Sequence, residues 1–169
     1  MKTFAKWIVY FFGFFLVLAF GTLALARFAD GPLEIVAGGP FVTGEVARVE
    51  PDWSFAKDYP TVEFQLLDPE VSRTTWIAVH EGRVFIPSGY MTTWWGKIWK
   101  QWPLQAEQDG RAILRVDGKV YDRKLVRVKG GPDVEPVMAE LGRKYAGGPA
   151  IPREAFDSGY LWIFQLVPR

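Results

Sequence analysis

The chain has no cysteine and one histidine, His80, in 169 residues. The first absence excludes disulfides, thiolate nucleophiles and Cys-ligated metal centres. The second leaves any metal to carboxylates. Asp68 and Glu70 flank Pro69 in a loop, and Asp52 and Asp58 read as turn positions, so no metal site is expected. Charge of one sign is not in excess either, since the formal net charge is +1. Residues 1–32 hold only Lys2, Lys6, Arg27 and Asp30, and what remains is within one charge of neutral. That balance offers no electrostatic footprint for nucleic acid. Longer repeats and low-complexity tracts are missing. Three Gly-Gly-Pro triplets, at Gly38, Gly130 and Gly147, punctuate the chain and mark element boundaries.

Apolar residues are plentiful but unevenly placed. The run from Trp7 to Ala26, WIVYFFGFFLVLAFGTLALA, carries no charge. As a helix it spans about 30 Å, the hydrocarbon thickness of a bilayer. It has no polar face, which argues against a surface helix of a soluble core. Lys2 and Lys6 precede it, and Arg27, Asp30 and Glu34 follow it. The positive-inside rule then puts the N-terminus in the cytoplasm and the domain outside. A signal peptide is the rival reading, because Ala24 and Ala26 form an A-x-A-like site, although the run exceeds the roughly 7–15 residues of an h-region. Both readings export the domain. The expectation is a single-pass protein of the inner (cytoplasmic) membrane with a periplasmic domain. It divides into an anchor (1–28) that meets the lipid bilayer through residues 7–26, a linker (29–40) and a domain (41–169).

The domain reads as short strands. FVTGEVARV and TVEFQLL bracket a polar loop, and the second alternates apolar and polar residues with the period of a half-buried strand. TTWIAV turns at Glu81-Gly82 and returns as RVFIP, and Asp117-Gly118 is a strong type I′ hairpin signal. One helix follows, with Asp133 as N-cap, Val137, Met138, Leu141 and Tyr145 on one face and Gly147 as the left-handed closing residue. YLWIFQLV ends the chain as a buried strand. The fold class expected is mainly β: a transmembrane helix, then a small antiparallel split β-barrel with one helix before the last strand.

From about Trp53 onward this order resembles the FMN-binding split-barrel superfamily, which includes pyridoxamine-phosphate-oxidase-like proteins, deazaflavin-dependent reductases and haem-degrading relatives. Four features carry the likeness. They are the R-x-T-W strand with its G-R-V-F-I-P-S return, the connector Lys100-x-Trp102-Pro103 leading to Asp109 and the strand Arg111 to Val116, the Asp-Gly hairpin, and a helix ending Arg143-Lys144-Tyr145. The resemblance implies FMN or a related flavin or deazaflavin as cofactor. Its phosphate would be held by Arg73, Thr75, Ser88 and Lys100, and its ring would lie against Trp76, Trp99 and Trp102. Such donors suit a phosphate and such walls suit an isoalloxazine, and the redox chemistry would belong to the flavin. The connector departs from the family pattern: Gln101-Trp102 stands where Asn-Leu is usual, and Gly110 replaces a proline. A homodimer is implied by the same analogy.

Two readings of function follow. One is a membrane-anchored flavin- or deazaflavin-binding domain, an oxidoreductase if it is an enzyme. The other is a non-catalytic single-pass accessory subunit of a larger membrane complex, its barrel without cofactor. Within the connector, Trp94, Trp95, Trp99 and Trp102 alternate with Lys97 and Lys100. They fit a ligand wall, a membrane-interface belt, or a helix packing Trp95, Trp99 and Trp102 on the barrel. His80 reads as a solvated turn residue, with haem ligation or general-base work the alternative. The basic run Arg111, Arg115, Lys119, Arg123, Lys124, Arg127 and Lys129 reads as a solvated barrel exterior or a surface for an anionic partner.

Overall fold

A computed structural model of the chain describes residues 2–169. The apolar run forms α1 (Lys2–Ala26), followed by β1 (Glu45–Val46), a 3-10 turn (Trp53–Ala56), β2 (Val62–Leu67) and β3 (Glu70–Thr75). Next come β4 (Ala78–His80), β5 (Arg83–Ser88), α2 (Trp94–Trp99), α3 (Trp102–Gln108) and β6 (Arg111–Val116). The chain ends with β7 (Lys119–Val128), α4 (Val134–Tyr145), α5 (Arg153–Asp157) and β8 (Trp162–Pro168). Seven strands make one curled antiparallel sheet in the order β3-β2-β6-β7-β8-β5-β4, and β1 pairs in parallel with β7. The protein is a mainly antiparallel β half-barrel with an apolar N-terminal helix.

Strand alternation sorts the side chains into two cores. Val62, Phe64 and Leu66 of β2, Leu114 of β6, Leu125 of β7, Phe164 of β8 and Ile86 of β5 point inward, and Trp53 and Trp102 join them. Phe85 and Ile163, on the other face of β5 and β8, pack under Val134, Val137, Met138 and Leu141 of α4. Both hairpin turns have positive φ at two central residues, +49° and +67° at Glu81 and Gly82 and +50° and +73° at Asp117 and Gly118. These are the type I′ values that match strand twist.

The seam of the half-barrel is the feature that positions the site. The stretch TTWIAV, expected as one strand, is cut after Thr75. Its first part belongs to one edge of the sheet and its second part to the opposite edge. Only Trp76 and Ile77 cross between them, so the edges are no more than about 11 Å apart by chain reach. Ile77 has no strand partner for its peptide groups, and α4 supplies one. Tyr145 Oη accepts the Ile77 N–H at 3.0 Å and donates to Pro60 O at 2.7 Å, while Lys144 Nζ donates to Ile77 O at 2.8 Å. This satisfies an edge that would otherwise leave buried polar groups unpaired.

Other expectations change. FVTGEVARV yields only the two residues of β1, and Val42, Val46 and Val49 are exposed. Within the linker 29–40, Gly38 bridges to Ser72 of β3. A second helix, α5, precedes the last strand. Asp133 makes no side-chain cap; its carboxylate is taken by Arg83 through two bonds of 2.8 and 2.6 Å. Arg123 is not on a solvated exterior. It shares the inner face with Tyr121 and Leu125, is buried, bonds Glu50 at 2.6 Å and lies over the rings of Trp53 and Tyr121. Arg127 packs over Trp162 and bonds Glu107.

Candidate functional site

A cleft of about 460 Å³ opens beside the seam. Thr74, Thr75 and Trp76 form one wall, Pro87, Gly89, Tyr90 and Lys100 another, and Leu141, Ile151, Ala155, Tyr160 and Leu161 complete it. The Trp76 indole is held flat by stacking on Tyr145, 4.5 Å between centroids and 5° between planes. Because Tyr145 also staples Ile77, one residue of α4 fixes both the seam and the wall. Across the cleft Tyr90 meets Tyr160 edge to face at 5.1 Å. The Tyr160 phenol is pushed up by burial and by its hydrogen bond with Tyr90.

Lys100 is the cation of this cleft. It follows α2, which ends because Pro103 has no N–H for the Trp99 carbonyl and its ring would clash there. The last α2 bond runs from Lys100 N–H to Gly96 O at 2.8 Å. The Lys100 ammonium sits 5.5 Å over the Tyr90 ring. Burial holds its pKa below the ordinary 10.5, and no carboxylate offsets that. A half-buried ammonium with only an aromatic face for company gains from any anion that enters.

The seven residues expected to hold a cofactor do not all meet. Thr75, Trp76 and Lys100 line the cleft. Ser88 is buried at the end of β5 with its hydroxyl toward Met91 Sδ at 3.5 Å. Trp102 is in the barrel core against Phe64 and Phe164, with centroids 5.0 and 5.3 Å away. Arg73 lies outside the lining. Its Nη1 is buried without a partner, and burial, helped by the nearby Arg27, lowers its pKa to about 10. Trp99 is exposed.

Sequence reasoning missed Tyr90 and Tyr160. The signal was a repeated triplet, Ser88-Gly89-Tyr90 and Ser158-Gly159-Tyr160. The two copies come together, with Met91 N–H bonded to Tyr160 O at 3.0 Å.

A second cluster brings His80, Glu81 and Asp133 ligand atoms within 4.8 Å of one another. Arg83 stands among them, bonding Asp133 twice and Glu81 at 2.9 Å. The guanidinium pairs with both carboxylates and occupies three of their four oxygens, so the cluster is an ion-pair knot that ties the β4–β5 turn to α4.

The chain is similar to the conserved hypothetical protein Rv2991 from Mycobacterium tuberculosis, known from a crystal structure. The two are 14% identical over 68% of this chain and 76% of that one, with a TM-score of 0.48. No protein-family model and no curated protein matches the sequence.

Proposed function

We propose that the protein is a membrane-anchored half-barrel whose seam cleft binds an aromatic ligand with an anionic group, of the flavin or deazaflavin type. Lys100 carries this reading: it is a desolvated, unpaired ammonium facing a cleft walled by Trp76, Tyr90 and Tyr160. The donor set fits a flat ring with one anionic end. Lys100 would hold the anion, Thr74 and Thr75 would supply hydroxyls, and Trp76, locked on Tyr145, would lie against the ring. A flavin bound there would supply electron transfer, and the chain's residues would bind, orient and shield it. The anchor is α1, whose stretch Lys6–Ala26 is 21 residues long and, up to Ala26 at its end, lies outside the packed core. Its flanking charges favour a cytoplasmic N-terminus and an exported domain.

A second reading has its own support. Arg73 and Ser88 lie outside the cleft, so half of the expected phosphate set is missing from it, which favours a single-pass accessory subunit without cofactor. The deciding experiment is an absorption spectrum of full-length protein purified in mild detergent, followed by FMN titration of wild type and the Lys100→Ala, Thr75→Val pair. A bound chromophore, or saturable FMN binding lost in the pair with unchanged circular dichroism, supports the ligand reading. A colourless protein that binds no FMN or deazaflavin and arrives with stoichiometric partner chains supports the accessory subunit.

A further inference from the structure

We infer that α2 is a second membrane contact, lying in the phospholipid interface with Trp94, Ile98 and Trp99 among the headgroups, so that the seam cleft opens at the bilayer surface. The inference rests on α1 being the membrane anchor.

The first observation is how α2 is seated. Its single buried residue is Gly96. A Cβ there would come 2.0 Å from the Tyr90 carbonyl oxygen, so the helix rests backbone-down on the Tyr90 turn. Thr93 caps it, accepting the Gly96 N–H at 3.1 Å. The large side chains therefore point away from the protein: Trp94, Ile98 and Trp99 are 76%, 70% and 71% exposed. A patch of this kind on a freely soluble domain would favour association. Lys97 stands between the aromatics, and the pairing of indole rings with an ammonium group is the chemistry that settles at an anionic headgroup layer.

The second observation is that no slack separates the domain from the end of α1. Ala26 is fully buried, and its carbonyl accepts the Gly39 N–H at 3.0 Å. Asp30 accepts the Val42 N–H at 2.7 Å and pairs with Arg115 Nη1 at 2.8 Å. The segment between carries Phe28 and Ile35, both almost wholly exposed. A domain clamped so tightly to a spanning helix must lie on the bilayer with some face down.

The third observation says which face. Gly38, from the segment after α1, bonds Ser72 of β3. Thr74 and Thr75, two and three residues further along that strand, border the cleft that Lys100 also lines. The strand that receives the exit of α1 and the end of the helix with exposed tryptophans thus flank one opening.

Because the chain has no cysteine, single cysteines report position without removing any other. Full-length Val17→Cys, Ile98→Cys, Trp99→Cys and Lys124→Cys, each spin-labelled, are reconstituted into vesicles of phosphatidylcholine and phosphatidylglycerol. Collision rates with oxygen and with a water-soluble nickel chelate then give depth. Lys124 is on the charged outer face of β7, near the Asp122–Arg169 pair. The expected result is a nickel collision rate several-fold lower at 98 and 99 than at 124, with oxygen access retained and Val17 deeper still. Labels at 98 and 99 as open to nickel as that at 124, with Val17 deep, overturn the inference and leave the anchor intact. Shielding from both reagents would mean that protein covers α2, which also overturns it. Nickel access at Val17 would remove the anchor reading itself, and the inference with it.

Discussion

Trp99 and Trp102 are three residues apart in one connector, yet the first is 71% exposed and the second 7%. On a continuous helix they would share a face with Trp95. Pro103 prevents continuity, and the chain restarts at Trp102 as α3 with its indole turned into the barrel. The same residue type therefore does opposite work on the two sides of Lys100. Inside, Trp102 fills space between Phe64 and Phe164. Outside, Trp99 covers nothing in the protein. Hydrophobicity says that an indole will leave water, and the backbone break decides whether it goes into the core or toward another phase.

The contrast is sharpest in stability. Trp102→Ala should destabilise the domain by about 3–5 kcal/mol, the cost of an unfilled aromatic site. Trp99→Ala in detergent should change it by less than about 0.5 kcal/mol, as at other positions without packed neighbours. Denaturant unfolding of the two variants tests this directly, and equal costs would break the comparison. Tyr145→Phe comes next. It removes the hydroxyl that satisfies Ile77 at the seam while leaving the ring on Trp76, and an unsatisfied amide costs about 1–3 kcal/mol. Hydrogen exchange at the Ile77 amide should quicken more than exchange in the β6–β7 hairpin.

Smaller effects on the fold accompany the cleft. Lys100→Ala should leave unfolding nearly unchanged, or slightly favour the folded state, because it removes a desolvated charge that has no partner. Titration with FMN should show binding lost in the same variant. The pH dependence follows from the lowered Lys100 pKa. The folded protein gives up this proton at a lower pH than the unfolded chain does, so the cost of burying the ammonium is present at neutral pH. It is relieved as pH rises through the lowered value toward the ordinary 10.5. Anion binding should fall over that window. Lys100→Arg should carry binding to higher pH, since a guanidinium stays charged there. An unchanged profile would place the anion elsewhere.

Much of the fold was legible because its causes are local. The charge-free run of α1, the alternation of β2, the Asp117-Gly118 turn and the apolar face of α4 each follow from neighbours a few residues away. The misses have distant causes. TTWIAV looks like one strand because nothing within it says that Thr75 pairs with Val62 while Ala78 pairs with Phe85. Asp133 looks like a cap because Arg83, fifty residues earlier, is invisible at short range. Arg123 looks solvated because its shelter of Glu50, Trp53 and Tyr121 assembles only when the half-barrel curls.

The candidate site divides along the same line. The resemblance to the split-barrel family marked Thr75, Trp76 and Lys100, and the chemistry of hydroxyl, indole and ammonium groups agrees with the roles it implies. Tertiary structure decided which of the seven marked residues share a cleft, that Trp102 goes to the core, and that two Ser-Gly-Tyr triplets seventy residues apart bring Tyr90 against Tyr160. It also decided that Lys100 has no carboxylate beside it. Turn and helix preferences are written over a few residues, whereas burial and pairing depend on which strands close the sheet, and only the folded chain contains that information.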